Sequence, residues 1–209
     1  MRLTHNMPQV ADAVHAKLIK QVPFALSQAL NDTALDVKAA EEDELGVVLD
    51  NPTPFTRRGF FVKRSSKRKL VAKVGVKSIQ AKYLRYQVEG GTRRPNGKAL
   101  LVPQKARLNQ YGNLPKGSVA RSKAKKTTFV VSRGAKAAEH LRPGVYQRPK
   151  RLAKGSKREA KKLKQLVSFE ASATYKPKFD PVSVARRVLR KRLKSHFSRR
   201  FAQAMATAR

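Results

Sequence analysis

The stretch EGGTRRPNGKALLVP, residues 89–103, sets two glycines ahead of a glycine-lysine pair and an apolar run. Residues of these types cradle nucleotide phosphates when spaced G-x-x-x-x-G-K-[ST]: backbone amides wrap the phosphates, the lysine reaches the terminal ones, and the hydroxyl holds magnesium. Counted back from Gly97 and Lys98, the first glycine position holds Thr92, and the hydroxyl position holds Ala99. Pro95 also removes an amide from the cradle. The spacing argues against nucleotide binding and for a hairpin, with strands at 83–88 and 99–102 and turn residues Gly90, Gly91, Pro95, Asn96 and Gly97. Arg93, Arg94 and Lys98 then stand at its tip as charge without a catalytic partner.

The other residues able to do chemistry are no better arranged. Glu41, Glu42, Asp43 and Glu44 are adjacent, and neighbouring acids on a helix point in different directions, so they cannot converge on one magnesium ion. They read as a solvated helix end or an acidic contact to a basic neighbour. His5, His15, His140 and His196 show no metal-ligand spacing. Without cysteine, thiolate catalysis, disulfides and cysteine-ligated zinc are excluded. No serine or lysine lies in a nucleophile motif, and the expectation is a protein with no catalytic residues, no metal and no cofactor.

Charge is the dominant feature. The 209 residues carry a formal net charge of +35, far beyond what solubility requires, and such self-repulsion calls for a polyanion or an acidic partner. It is unevenly placed, with −4 over residues 1–50 and +39 over residues 51–209. The second figure spans predicted turns, strands and helix alike, which suits a surface that tracks phosphates without reading bases. Aromatic residues near the basic turns are sparse, Tyr111 and Tyr146 being the nearest, so duplex DNA is favoured over stacked single strands. No apolar core of signal-peptide type opens the chain, and no apolar stretch approaches the roughly 20 residues that span a bilayer. The expectation is a soluble protein consistent with the cytoplasm.

The elements that must position these charges follow from periodicity. Over residues 10–44, Val14, Leu18, Val22, Leu26, Leu30 and Val37 fall near one helical face. Asn6 is the expected cap, and Pro23 predicts either two helices or one kinked helix. NPTPFT then stops the helix and opens extended structure. GFFVKRSSKRKLVAKVGVK reads as a hairpin whose second arm alternates Leu70, Ala72, Val74 and Val76. Residues 104–164 are rich in Gly, Pro, Lys and Arg, with strand character only in TTFVVS, and are expected to order only against a partner. QLVSFEASATY alternates as a strand, and Asp180 with Pro181 marks a helix start. Val182, Ala185, Leu189, Leu193, Phe197, Phe201 and Met205 give that last helix an apolar stripe. The predicted fold is α+β, with N-terminal helices and a C-terminal helix packed on a central antiparallel sheet that carries long basic loops. It forms one domain in four segments: 1–50, 51–103, 104–164 and 165–209.

The order of a long helix, NPTPFTRRGF, a basic hairpin, YLRYQVEGGTRRPNGKALLVP, LNQYGNLPKG and a basic C-terminal helix resembles tail completion proteins of long-tailed bacteriophages, the minor tail protein Z family of lambda-like phages and related neck proteins. The resemblance is strongest over residues 51–117, and the basic insertion at 121–164 matches least. It implies a structural virion protein at the head-tail junction, a homo-oligomeric ring, and other phage neck and tail proteins as partners, with double-stranded DNA in the tail channel. The residues expected to contact phosphate are Lys67, Arg68, Arg93, Arg94, Lys98, Lys123, Lys125 and Lys126, all at predicted turns or in basic loops. A different class of function, a sequence-independent cellular nucleic-acid-binding protein associated with ribosome or nucleoid, shares the charge but not the acidic N-terminal helix.

Overall fold

A computed structural model describes residues 7–135, 140–149 and 162–207. The fold is α+β, with helices at both ends and antiparallel strands between them. The chain divides into two compact units: Met1–Val88 with Pro177–Arg209, and Glu89–Lys176. The segment limits read from the sequence at 50, 103 and 164 do not coincide with these boundaries.

The first unit is built on α1, Met7–Val48, which continues through Pro23 as one helix. The expected cap, Asn6, lies outside the described residues. Every fourth residue from 25 to 45 is buried: Ala25, Ala29, Thr33, Val37, Glu41 and Leu45. That row keeps Val37 of the predicted face but is displaced from its Leu26 and Leu30. Ala25 and Ala29 are 0% exposed, while the larger Leu26 and Leu30 are only half-buried. The reason is steric: a second helix approaches closest over small side chains, whereas periodicity weights the large ones. Thr33 is buried without cost to its hydroxyl, which donates to the Ala29 carbonyl at 2.7 Å.

Asn51 takes a left-handed conformation, φ 46°, and turns the chain out of α1. A short helix follows, α2, Pro54–Arg57, where extended structure was expected. Thr53 caps it and Pro54 occupies its first turn, where a missing N–H costs nothing. The predicted basic hairpin forms, β1 (Phe60–Lys63) pairing antiparallel with β2 (Lys73–Val76). Its turn is tied to α1, for Ser65 donates its backbone N–H to Asn31 Oδ1 at 2.7 Å and its hydroxyl to the Ser27 carbonyl at 2.9 Å.

The strand predicted at 83–88 is instead the C-terminal half of a helix, α3, Ser78–Val88. The turn residues that follow suggested a hairpin arm, but Gln80 and Leu84 are buried at helical spacing, and Leu84 joins Leu45, Phe60 and Phe179 in the core. The rings of Phe60 and Phe179 meet edge to face at 6.3 Å. Asp180 then caps α5, Pro181–Ala206, accepting from the Ser183 N–H at 3.1 Å. The predicted stripe on α5 is rotated: Val184 and Ala204 are buried, while Val182, 56% exposed, and Leu189 face solvent.

The second unit carries two sheets. A ribbon pairs β3 (Gly91–Arg93) with β8 (Ala173–Tyr175). A four-stranded antiparallel sheet runs in the order β4 (Leu100–Pro103), β7 (Lys164–Glu170), β6 (Gly144–Gln147), β5 (Thr128–Val131). Leu100 stands opposite Glu170, so 99–102 pairs with a strand distant in sequence and not with 83–88. The basic stretch expected to need a partner contributes a helix, α4 (Ser118–Lys123), and two strands. Val131, Val145 and Tyr146 of those strands are buried, together with Val167 of β7. Phe129 and Tyr146 stack at 5.6 Å across β5 and β6, and the Tyr146 hydroxyl donates to the Arg142 carbonyl at 2.8 Å. The remainder of the predicted basic insertion, 136–139 and 150–161, lies outside the described residues.

Candidate nucleic-acid interface

The acids of the N-terminal segment have a defined use. Between α1 and α5, carboxylates and cations meet in antiparallel register. Arg187 pairs with Glu44 at 2.9 Å, Arg192 with Asp36 at 3.9 Å, and Arg199 and Arg200 with Asp32 at 2.9 and 2.7 Å. His196 Nε2 lies 2.8 Å from Asp36 Oδ2. Arg200 presents two nitrogens to Asp32, Nε to Oδ2 and an Nη to Oδ1. This fork holds the Asp32 carboxyl below the usual carboxylate range against the opposing pull of its partial burial. The same bonds raise Arg200 above its ordinary value. Asp32, Asp36 and Glu44 lie along one side of α1 because 32, 36 and 44 differ by multiples of four. Of the acidic run at 41–44, Glu44 reaches a basic neighbour, the chain's own C-terminal helix, while Glu42 pairs with Lys38 on its own helix and the other α5 contacts come from Asp32 and Asp36 outside the run. Glu41 stands apart. It is 5% exposed and makes no ion pair among the described residues, and burial pushes its carboxyl up to about 7.

All ion pairs among the described residues lie on α1 or between α1 and α5. The second unit has none among its described residues. It carries twenty-three lysines and arginines against four glutamates between residues 89 and 176. With Asp32, Asp36, Glu42 and Glu44 paired on α1 or with α5, the charge on the described residues of the second unit is left for solvent, ions or a polyanion.

The eight candidate phosphate contacts are all exposed, and they fall on both units. Lys67 and Arg68 occupy the turn of the β1–β2 hairpin, where Lys67 Nζ sits 4.6 Å over the Phe24 ring. Arg93 ends β3, and Arg94 and Lys98 follow in the loop to β4. Lys123 ends α4, with Lys125 and Lys126 in the turn to β5. Lys98 and Lys123 come together, with Arg133, on the rim of a groove of about 620 Å³ floored by Leu101, Val130 and Phe169. Lys125 lines a different cleft, of about 730 Å³, together with Lys105, Arg107 and Arg121. Those three escaped the sequence reading. Their signal was present as basic residues flanking the glycine-rich NQYGNLPKG, but only the pairing of β4 with β7 and the placement of α4 bring them around one concavity.

Among the described residues no three His, Asp or Glu side chains are grouped to hold a metal ion, and no helix is long and apolar enough to cross a membrane. The chain matches no family model, no curated protein and no solved structure.

Proposed function

We propose that the protein is a structural component of a tailed bacteriophage virion, completing the tail at the head-tail junction as a homo-oligomer. Its second unit faces the phosphate backbone of double-stranded DNA, and neighbouring neck and tail proteins contact the remaining surface. The virion assignment rests on the resemblance carried by residues 51–117. The DNA assignment rests on one observation: the ion pairs among the described residues lie on α1 and between α1 and α5, and none lies on the strongly basic second unit. A surface of unopposed lysine and arginine gains free energy by displacing the counterions condensed on DNA, whatever the base sequence.

Reversing Arg93, Arg94 and Lys98 to glutamate tests both halves. All three are exposed, and none is in an ion pair among the described residues, so folding and incorporation into tails should persist. Affinity for duplex DNA should fall alike for all sequences, and the slope of log K against log salt should flatten by up to about 3, one contact's worth for each side chain. Tails that form but retain DNA poorly are the expected phage phenotype. Unchanged DNA binding at every salt concentration, with failure to join tails, would make this loop a protein-docking element. Co-purification with ribosomes or chromosomal DNA, and never with particles, would replace the virion assignment by the cellular one.

A further inference from the structure

The geometry points to a phosphate-binding cleft within the second unit, formed by Lys105 and Arg107 on one wall and Arg121 and Lys125 on the other. Its volume, about 730 Å³, lies in the range of built small-ligand sites, roughly 300–1,000 Å³, and is too small to admit a duplex. A protruding phosphodiester stretch or a free oligophosphate fits it. The shared chemistry is a run of phosphate oxyanions.

Both walls are placed before any ligand arrives. The backbone N–H groups of Gln104, Lys105 and Ala106 all donate to the Leu166 carbonyl, at 2.9, 3.3 and 3.1 Å, which folds the first wall onto β7. The Thr128 hydroxyl donates to the carbonyls of Ser122 and Lys125, which pins the second wall to β5. A site fixed in this way loses little conformational freedom on binding. Among the described residues four cations line the cleft and no carboxylate does. Concave, low-dielectric walls of one sign focus the field and draw in counter-ions. An ordinary solvated face would be convex or interleaved with acids, as the α1–α5 contact is. The two guanidinium forks match phosphate oxygens in pairs, while the two ammonium groups act as point charges.

This deepens the reading above, and only its nucleic-acid arm rests on that reading. The full-length chain is titrated with sodium tripolyphosphate and, separately, with a short fluorescent DNA duplex over a range of salt. The cleft variant is Lys105→Gln, Arg107→Gln, Arg121→Gln and Lys125→Gln. A charge-matched variant, Arg186→Gln, Arg190→Gln, Lys191→Gln and Lys194→Gln, removes four exposed cations from α5 that make no ion pair among the described residues. Wild type and the charge-matched variant should bind tripolyphosphate saturably, and the cleft variant at least about tenfold more weakly. For DNA, the cleft variant should lose up to about 3.6 from the slope of log K against log salt, which corresponds to four phosphate contacts. If the cleft variant loses tripolyphosphate but binds DNA unchanged, the cleft is supported and its ligand is free oligophosphate. If wild type binds no DNA, the DNA contact under Proposed function fails while tripolyphosphate still decides the cleft. Equal tripolyphosphate binding by all three proteins, or none by wild type, overturns the inference.

Discussion

Replacing Asp32 by alanine should cost far more than replacing any other acid of the α1–α5 ladder. Asp32 accepts three charge-assisted hydrogen bonds, two from Arg200 at 2.7 and 2.9 Å and one from Arg199 at 2.9 Å. The Arg199 side chain is more than half exposed, so solvent and salt screen its share. Arg200 and Asp32 are both largely covered and bidentate. Hydrogen bonds to charged groups are worth about 1.5–3 kcal/mol, and with the Arg199 bond discounted the loss should be about 2–3 kcal/mol. For a chain of this length that is a fall in Tm of roughly 5–10 °C. Glu44→Ala, which removes the single exposed pair to Arg187, should cost at most about 1 kcal/mol. Far-ultraviolet circular dichroism is the assay, because α1, α3 and α5 all belong to the first unit. A double-mutant cycle with Arg200→Ala should give a coupling above about 1 kcal/mol. The pH dependence has a fixed sign. The folded carboxyl is depressed, so its stabilisation is complete above the unfolded value near 3.8 and is lost as the pH falls through the lower folded value. Equal Tm losses for Asp32→Ala and Glu44→Ala, or a negligible coupling, would refute the reasoning.

Glu41 should behave oppositely. Its carboxyl is raised from 4.5 to about 7 by burial, so the folded state holds the proton more tightly and stability declines as the pH rises across that window. Glu41→Gln should remove this decline and be the more stable protein at about pH 8; thermal melts of the two proteins with identical pH profiles would contradict it. Gly144→Ala should loosen the second unit, since a Cβ there would collide with the Val167 carbonyl oxygen, a backbone atom that cannot swing aside, and would approach Gln165 Nε2 to 2.9 Å. A cost of about 1–3 kcal/mol should appear as faster amide exchange in β6 and β7, whereas Gly97→Ala, with nothing within 4 Å, should be silent; undiminished protection in the first variant would count against the close approach.

What the sequence determined by itself was whatever a few neighbouring residues settle among themselves. Asp180 and Pro181 start α5, because a carboxylate beside free N–H groups and a ring with no N–H need no distant partner. Alternation announced β2 and β7, the strand character of TTFVVS announced β5, and the excess of positive charge needed only counting. Tertiary structure decided the rest. Residues 83–88 became helix because Leu84 is drawn into a core with Leu45, Phe60 and Phe179, from three other parts of the chain. The face of α1 turned to its alanines because a helix from the far end of the chain packs closest where side chains are smallest. The acids of α1 found their cations some 140 to 170 residues away, a distance at which spacing carries no information. Lys105 and Arg107 meet Arg121 and Lys125 because β4 pairs with β7 across the whole basic stretch. Local sequence fixes which groups exist and what each prefers; which of them face one another depends on burial and pairing energies shared among remote segments, and those are defined only once the chain has folded.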